Sequence, residues 1–505
     1  MRYGYRILDA GMLRPIQPLD LAFLWIDRPE TPSNVGALLL LDPPAGADAA
    51  RLARQVVRAY RSARPTSPFD GIPDLPLLGL PQWRTVERVD LRRHVSLEQL
   101  DPPGDHAQLH RLVARLHESQ LDRTRPLFAL HVIHGLSDGR FAVYFKSHHA
   151  CWDGRYALER VFGSLTREPG PIAPPFFAVR DPGAVSGTSA AGLAGSVRAL
   201  LAQAAGFREL FATLAGRTRT AVASRRRSGN RPFAGPHTRF NDAVHPGRSF
   251  AGFELPLAEL REVAHAAGGT VNDAVLAIVD AGVTRYLAGL GERPRRPLVA
   301  MCPVSLREPG DHEATTKAAT LFVPLGGPRA GPAARLRRIV AATRAAKGEF
   351  HGFSHEAMQD YAALAFGLWF ASSALGLGAV TRPVVNLTVS NVGAIDGPRY
   401  LGRSRLVAAY PVSMIAEPVG LNVTTVSLDG RMEFGVIAAS GLADAARIAA
   451  DCEAAFAELC RPASGAASPA AATTRRRAAA QDLTLRKPPE RSPSRRRRMP
   501  ASQRS

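Results

Sequence analysis

Two adjacent histidines, followed by an aspartate and a glycine, are the residues of this sequence best suited to chemistry. His148 and His149 come directly after the strand-like run 140–147, and Asp153 and Gly154 lie four and five positions beyond His149. A histidine at the end of a strand can be held rigidly while its ring enters a cleft, and its ordinary pKa of about 6.5 suits proton transfer at neutral pH. The sequence therefore predicts His149 as a general base.

The residues around this base suggest how it is held and what it does not use. Asp153 is predicted to brace the loop and to cap a helix that begins near Arg155. A chance pairing of histidines with an Asp-Gly turn is the alternative, but a strand, this motif and a helix in that order favour catalysis. Cys151 could serve as a nucleophile only with a lowered pKa and an orienting group, and neither is visible.

The remaining motifs narrow the reaction type. The sequence contains no Gly-x-Ser-x-Gly elbow, no Walker loop and no dinucleotide-binding fingerprint. An acceptor hydroxyl is therefore expected to attack a thioester directly, with both substrates bound together in one ternary complex.

Elements that could position this motif are predictable in the first half of the chain. Residues 35–41 form an apolar run suited to a buried strand, and residues 128–135 and 140–147 read as a hairpin around Ser137-Asp138-Gly139. Helices are predicted over residues 47–61 and 107–121. The second strand of the hairpin leads directly into the histidines.

The second half repeats this mixture of helices and strands. Helices are predicted over residues 257–267 and 272–290 and from residue 445, where one face carries Ala445, Ile448, Ala449, Cys452, Phe456 and Leu459. Strands are predicted over residues 297–304 and 384–390 and in a hairpin formed by residues 422–427 and 432–439. The sequence thus predicts an α/β fold in which a two-layer unit occurs twice.

Two segments leave alternatives open. Residues 190–215 show the spacing of an amphipathic helix with a basic flank, typical of a linker packed on the body or of a helix at a membrane surface. Residues 361–381 carry no charge and are long enough to span a bilayer, but three glycines and two serines favour a core or interfacial helix.

Length and composition limit the class of protein. With 505 residues, 46% of them hydrophobic, the chain predicts more than one domain. Its four cysteines show neither a disulfide framework nor zinc-ligand spacing, which fits a reducing compartment. The first 18 residues lack the apolar stretch of a signal peptide. We expect a cytoplasmic protein without a structural metal.

Half of the net charge lies in the last 45 residues. Residues 461–505 contain 12 Lys and Arg and 2 Asp and Glu, which gives +10 of the total of +20. A segment so rich in Pro, Ser, Ala and Arg predicts a disordered tail that either improves solubility or binds anionic lipid or nucleic acid. The predicted divisions are an N-terminal domain over 1–185, a linker over 186–235, a C-terminal domain over 236–460 and the tail.

Several further motifs, in this order, complete a pattern. They are Pro18-Leu19-Asp20-Leu21-Ala22-Phe23, Asn34-Val35-Gly36-Ala37, His148 to Gly154, Asn272-Asp273, Pro303-Val304-Ser305-Leu306-Arg307 and Asn386 to Asn391. With them, residues 16–460 resemble the bacterial wax ester synthase/diacylglycerol acyltransferase family of the His-x-x-x-Asp acyltransferase superfamily. Gly393-Ala394 and Phe128 depart from that family's pattern.

The resemblance implies two chloramphenicol-acetyltransferase-like domains joined by a crossover linker, with an active-site tunnel between them. His149 would be the base there, His148 and Gly154 would support it, and Pro18, Leu19 and Asp20 would belong to the substrate site. Asn272 and Asp273 would support the site or polarise the thioester carbonyl. The same pair also fits a capping box that opens a helix.

The implied activity is transfer of an acyl group from acyl-CoA to diacylglycerol, a long-chain fatty alcohol, or both, without a metal or prosthetic group. The implied location is peripheral, at the inner face of the cell membrane or at a lipid droplet, and nucleic acid is not expected as a partner. Two alternatives stay open. The donor could be a carrier-protein thioester, or the protein could be a catalytically silent binder of lipid or nucleic acid.

Overall fold

Two six-stranded sheets organise the protein in the computed structural model, which describes residues 13–76, 81–179, 235–305, 318–348 and 383–461. A small antiparallel sheet of β1, β3 and β4 lies outside them. The described residues up to Cys460 form one compact unit. The three strands of the small sheet are Leu13–Pro15, Gly71–Asp74 and Gln82–Thr85.

The first large sheet has the strand order β12-β13-β2-β7-β6-β5. Its central strand β7 is buried along its whole length, because its Phe, Ala, Val and Tyr side chains meet apolar neighbours on both faces. The predicted hairpin of β6 and β7 is confirmed. The strands are β2 Asn34–Asp42, β5 Val95–Gln99, β6 Phe128–His134, β7 Phe141–His148, β12 Tyr400–Leu401 and β13 Ser404–Val412.

The second large sheet has the order β10-β9-β11-β14-β15-β8. Its predicted hairpin is confirmed, and Asp429 and Gly430 make the turn with φ of 47° and 81°, a backbone conformation that favours glycine and tolerates aspartate. The strands are β8 Arg248–Pro256, β9 Val299–Ser305, β10 Ala318–Pro324, β11 Leu387–Ile395, β14 Leu421–Leu428 and β15 Arg431–Ala439.

Eight α-helices among the described residues cover these sheets, and the predicted ones are confirmed to within three residues at each end. Asp48, Asp105 and Thr270 cap α2, α3 and α6 with their side chains, as their residue types predict. The helices are α1 Pro18–Ile26, α2 Ala49–Arg61, α3 His106–Glu118, α4 Gly154–Gly163, α5 Leu257–Ala266, α6 Val271–Gly289, α7 Pro332–Gly348 and α8 Ala445–Cys460.

The two halves of the sequence share one sheet. Strands β12 and β13 come from the C-terminal half, yet β13 pairs with β2 from Arg405 opposite Asp42 to Val412 opposite Gly36. The glycine pair Gly252 and Gly435, opposite each other on β8 and β15, lets β13 lie against the second sheet, since a side chain on either would collide with Tyr410 or Pro411. The sequence-based boundary between the domains therefore does not separate the sheets.

Several predicted segments lie outside the described residues. They are the linker helix at 190–215, the uncharged stretch 361–381 and all but the first residue of the tail. Within the described residues, no individual helix combines the length and hydrophobicity of a membrane span, and α5 with α6 satisfies both criteria only as a pair bent by 96°.

Candidate active site

The predicted catalytic motif lies where β7 ends. His149 begins a short 3-10 turn, His149–Cys151, and its backbone N–H donates a 2.8 Å hydrogen bond to the carbonyl of Ser33. Its ring stacks on Phe23 of α1, with centroids 3.9 Å apart and planes 14° from parallel. Main chain and ring are thus both fixed, while the side chain stays partly exposed in a cavity.

The surroundings of His149 keep its ring neutral. Burial lowers the pKa of His149 to about 4, although the residue's own backbone carbonyl and the carboxylate of Asp153 counteract part of that shift. Nδ1 is fully buried and has no well-formed hydrogen bond to any described residue. Unlike Nδ1, the second ring nitrogen Nε2 is not fully buried, and it makes no hydrogen bond to a described residue. Nε2 is therefore the nitrogen with access to the cavity. At neutral pH such a ring can accept a proton.

His148 points away from the cavity. It is 1% exposed, and its Nδ1 accepts a 3.1 Å hydrogen bond from the backbone N–H of Ala150. In the neutral ring the proton must then sit on Nε2, which lies 3.7 Å from Oδ2 of Asp27. This geometry fits the supporting role implied for His148.

Asp153 holds the start of α4, as predicted. Its Oδ1 accepts a 2.9 Å hydrogen bond from the backbone N–H of Tyr156, and its side chain lines the cavity beside His149. The next position favours glycine because α4 approaches β11 closely there. A Cβ on Gly154 would lie 2.7 Å from Cγ1 of Val392. The Asp-Gly pair therefore combines a helix cap with a contact between the two halves.

The Asn272-Asp273 pair lies at the start of α6, and neither side chain lines the cavity. Asp273 forms the capping box with Thr270 and also accepts a 2.6 Å hydrogen bond from the hydroxyl of Thr343. Asn272 accepts a 2.7 Å hydrogen bond from the side-chain amide of Asn391 on β11. The geometry favours the capping alternative for Asp273 and gives no support for direct contact of either residue with a thioester.

The predicted motif at residues 18–20 forms the first turn of α1. Pro18 occupies the start of the helix, where its missing N–H costs no hydrogen bond. Leu19 lines the cavity together with Phe23, whereas Asp20 is 2% exposed and is not part of the lining. The cavity lining thus includes Leu19 of this motif, and a role of the motif in binding substrate stays a prediction.

A largely apolar cavity of about 200 Å³ connects these parts. Its walls come from α1, β2 and α4 on one side and from β9, β11 and β14 on the other, so it lies between the two large sheets. Thr388, Ser390 and Thr424 supply polar groups from the second sheet. Thr388 and Ser390 belong to the Asn386 to Asn391 motif, but the sequence assigned them no role and did not single out Thr424, because alternation along a strand does not show which face meets a cavity.

Two further chemical possibilities are limited by the structure. Cys151 is 1% exposed, and burial raises the pKa of its thiol to about 12, so it carries almost no thiolate at neutral pH. Among the described residues, no three His, Cys, Asp or Glu side chains are grouped in a way that could hold a metal ion.

Asp27, by contrast, was missed by sequence reasoning. It ends α1, and burial would raise the pKa of its carboxyl, but the His148 ring, the backbone N–H of Ser33 and the amide of Gln120 together lower it to about 2. A single aspartate after an apolar helix carries no motif, so only its surroundings in the fold reveal it.

Two such sheets with a histidine-bearing cavity between them have the arrangement of chloramphenicol-acetyltransferase-like domains. The first condensation domain of the calcium-dependent antibiotic synthetase shares this fold, with a TM-score of 0.53 at 16% identity over 90% of this chain and 97% of that one. The wax ester synthase/diacylglycerol acyltransferase from Marinobacter aquaeolei VT8 is more similar, with a TM-score of 0.69 at 28% identity over 88% of this chain and 98% of that one.

Sequence comparison identifies the family. The model of the wax ester synthase/diacylglycerol acyltransferase catalytic domain matches residues 16–275, and that of the family's C-terminal domain matches residues 316–460. Two Mycobacterium tuberculosis proteins provisionally named diacylglycerol O-acyltransferases are 32% and 35% identical, over 84% and 88% of this chain and 92% and 99% of theirs. This chain belongs to the wax ester synthase/diacylglycerol acyltransferase family and is an acyltransferase.

Proposed function

We propose that the protein transfers the acyl group of a long-chain acyl-CoA to the hydroxyl of diacylglycerol, of a long-chain fatty alcohol, or of both. The observation that carries the proposal is a neutral His149 with one ring nitrogen open to an apolar cavity between the two sheets. Apolar walls suit acyl chains, and a fixed imidazole suits proton transfer from a hydroxyl.

The proposed reaction uses His149 twice. Its Nε2 takes the proton of the acceptor hydroxyl while the oxygen attacks the thioester carbonyl carbon, forming the new C–O bond. The tetrahedral intermediate then expels the CoA sulfur, the C–S bond breaks, and the imidazolium returns its proton to the thiolate. The products are an ester and free CoA. Because His149 carries both proton transfers, we propose that the reaction needs no metal and no prosthetic group.

The mechanism is tested with purified protein, palmitoyl-CoA and either dipalmitoylglycerol or hexadecanol, by following release of the CoA thiol. His149→Ala should lower the rate by about 10²- to 10⁴-fold, since that is what a lost general base typically costs. His148→Ala should retain some activity, because His148 does not reach the cavity. A folded His149→Ala protein with normal turnover would refute the mechanism.

A carrier-protein thioester is the competing donor. This protein shares its fold with a condensation domain, which is compatible with such a donor. The names of the M. tuberculosis relatives instead favour a lipid ester as the product. Palmitoyl-CoA and a palmitoyl-loaded carrier protein should be compared at equal concentration. Faster transfer from the carrier protein would show that the carrier-protein thioester, and not acyl-CoA, is the donor.

We further propose that the enzyme works in the cytoplasm, attached peripherally to the inner face of the cell membrane or to lipid droplets. Its proposed acceptors reside in such lipid phases, and residues 461–505 carry +10 of the +20 net charge. Near an anionic bilayer each Lys or Arg contributes about 1 kcal/mol of attraction.

Deleting residues 461–505 tests this attachment. Binding to vesicles containing anionic lipid should weaken and lose most of its salt dependence, while turnover of detergent-dispersed substrate stays unchanged. Duplex DNA at matched ionic strength is the control for nonspecific charge attraction. Equal vesicle binding by both proteins across the salt series would exclude the tail as the attachment site.

A further inference from the structure

The carboxylate of Asp27 collects hydrogen bonds from several parts of the first half of the chain. Its side chain is 1% exposed. Oδ1 accepts a 2.8 Å hydrogen bond from the backbone N–H of Ser33. Oδ2 accepts from the amide of Gln120 at 2.7 Å and from the guanidinium of Arg123 at 3.1 Å, and it also faces Nε2 of His148 at 3.7 Å. The end of α1, the segment after α3 and the end of β7 therefore meet at one buried charge.

Two routes lead from this carboxylate to His149. The first runs through Ser33, whose N–H is held by Asp27 and whose carbonyl accepts the backbone N–H of His149. The second runs through Phe23, because the Ser33 hydroxyl donates a 3.1 Å hydrogen bond to the Phe23 carbonyl, and the Phe23 ring stacks on His149. Asp27 itself does not line the cavity.

We infer that Asp27 is a positioning residue for the acyl transfer, which sets the place of the His149 ring through Ser33 and Phe23 without touching either substrate. This inference rests on the proposed function of His149 as the base. The base must meet the acceptor hydroxyl at hydrogen-bond distance, and a misplacement of about 1 Å can cost on the order of 10²-fold in rate.

An asparagine cannot take over this role, although it has nearly the same shape. The donors from Gln120 and Arg123, and the Nε2–H of His148, all face Oδ2. If the asparagine NH₂ took the place of Oδ2, it would face these donors although it is itself a donor. If the NH₂ took the place of Oδ1, it would face the backbone N–H of Ser33, which is also a donor. Asp27→Asn therefore loses some of these hydrogen bonds in either orientation of its side-chain amide.

The test compares Asp27→Asn with Asp280→Asn in the full-length enzyme, using palmitoyl-CoA and the better of the two acceptors. Asp280 is a matched control, because it is also a fully buried carboxylate held by an arginine, Arg335, and by a backbone N–H, but it lies in the second half away from the cavity lining. We expect Asp27→Asn to lower kcat about 10- to 100-fold with KM for both substrates unchanged. Asp280→Asn should lower the melting temperature and leave kcat within twofold.

Each outcome decides the inference. An unchanged kcat in Asp27→Asn, a KM that rises in proportion to the loss, or an equal kcat loss in Asp280→Asn would overturn it. If Asp27→Asn does not fold, Gln120→Ala takes its place, since Gln120 is a surface residue that donates to Oδ2. It should then lower kcat several-fold at constant KM, and a normal kcat would reject the inference. A wild-type enzyme without turnover would instead contradict the proposed function.

Discussion

Replacing Gly154 with alanine tests whether the contact between α4 and β11 positions the active site. Gly154 is the first residue of α4, directly after Asp153, and faces Val392 of the second sheet. The added Cβ would lie 2.7 Å from Cγ1 and 3.6 Å from Cβ of Val392. Since carbon atoms prefer separations of about 3.5–4.0 Å, the helix end or Val392 must move by roughly 1 Å.

The expected magnitude follows from two opposing effects. Overfilling a packed contact costs about 1–3 kcal/mol of folding free energy. Alanine also restricts the unfolded chain and favours the helix, which returns up to about 1 kcal/mol. The net loss in the free energy of unfolding should be about 1 kcal/mol. Because Asp153 moves with the helix end, kcat should fall as well.

Urea unfolding and CoA release on the same preparations measure both effects. Val392→Ala removes the methyl groups that meet the new Cβ, so the double variant Gly154→Ala/Val392→Ala should recover stability and rate relative to Gly154→Ala. A double-mutant cycle isolates this coupling. If the two substitutions were simply additive, or if Gly154→Ala were as stable and active as wild type, the contact would not have the role assigned to it.

Three other perturbations address the motif. As pH falls, kcat/KM should stay level through pH 5 and drop through about pH 4, because protonation removes the base at the lowered pKa of His149. Asp27 stays ionised over that range, and circular dichroism at each pH controls for unfolding. A midpoint of kcat/KM near pH 6.5 would instead indicate that the His149 ring is solvated. Asp153→Ala should lower the free energy of unfolding by about 1 kcal/mol relative to Asp153→Asn in urea unfolding, because asparagine also caps helices. Cys151→Ala should keep kcat nearly unchanged in the CoA-release assay, and an acyl group found on Cys151 by mass spectrometry would contradict direct transfer.

The sequence predicted those parts of the fold that depend on local patterns. The hairpin around residue 138, the cap at Asp153 and the apolar face of α8 are each set by residues within a few positions of one another. The same locality made the placement of His149 between a strand and a helix predictable, while its role as the base stays a prediction.

Features that depend on distant pairings were not predictable from one sequence. The contact of Asp27 with Gln120 joins residues 93 positions apart, and the pairing of β13 with β2 joins residues more than 360 positions apart. Neither contact produces a periodic pattern in the sequence, because the residues on each side would be the same if they paired with a different partner. The Asn272-Asp273 pair shows the converse limit, since one short motif fits both a capping box and a substrate contact.

The strand exchange between the halves also constrains how the enzyme can be made. During synthesis, β2 and β7 emerge early, but the edge of β2 has no partner until the ribosome has released residues 404–412. An unpaired edge of a hydrophobic strand is a template for aggregation. Cutting the gene between the halves would therefore yield a histidine-bearing fragment with an open sheet. Strand β13 thus completes, late in synthesis, the sheet that carries His149.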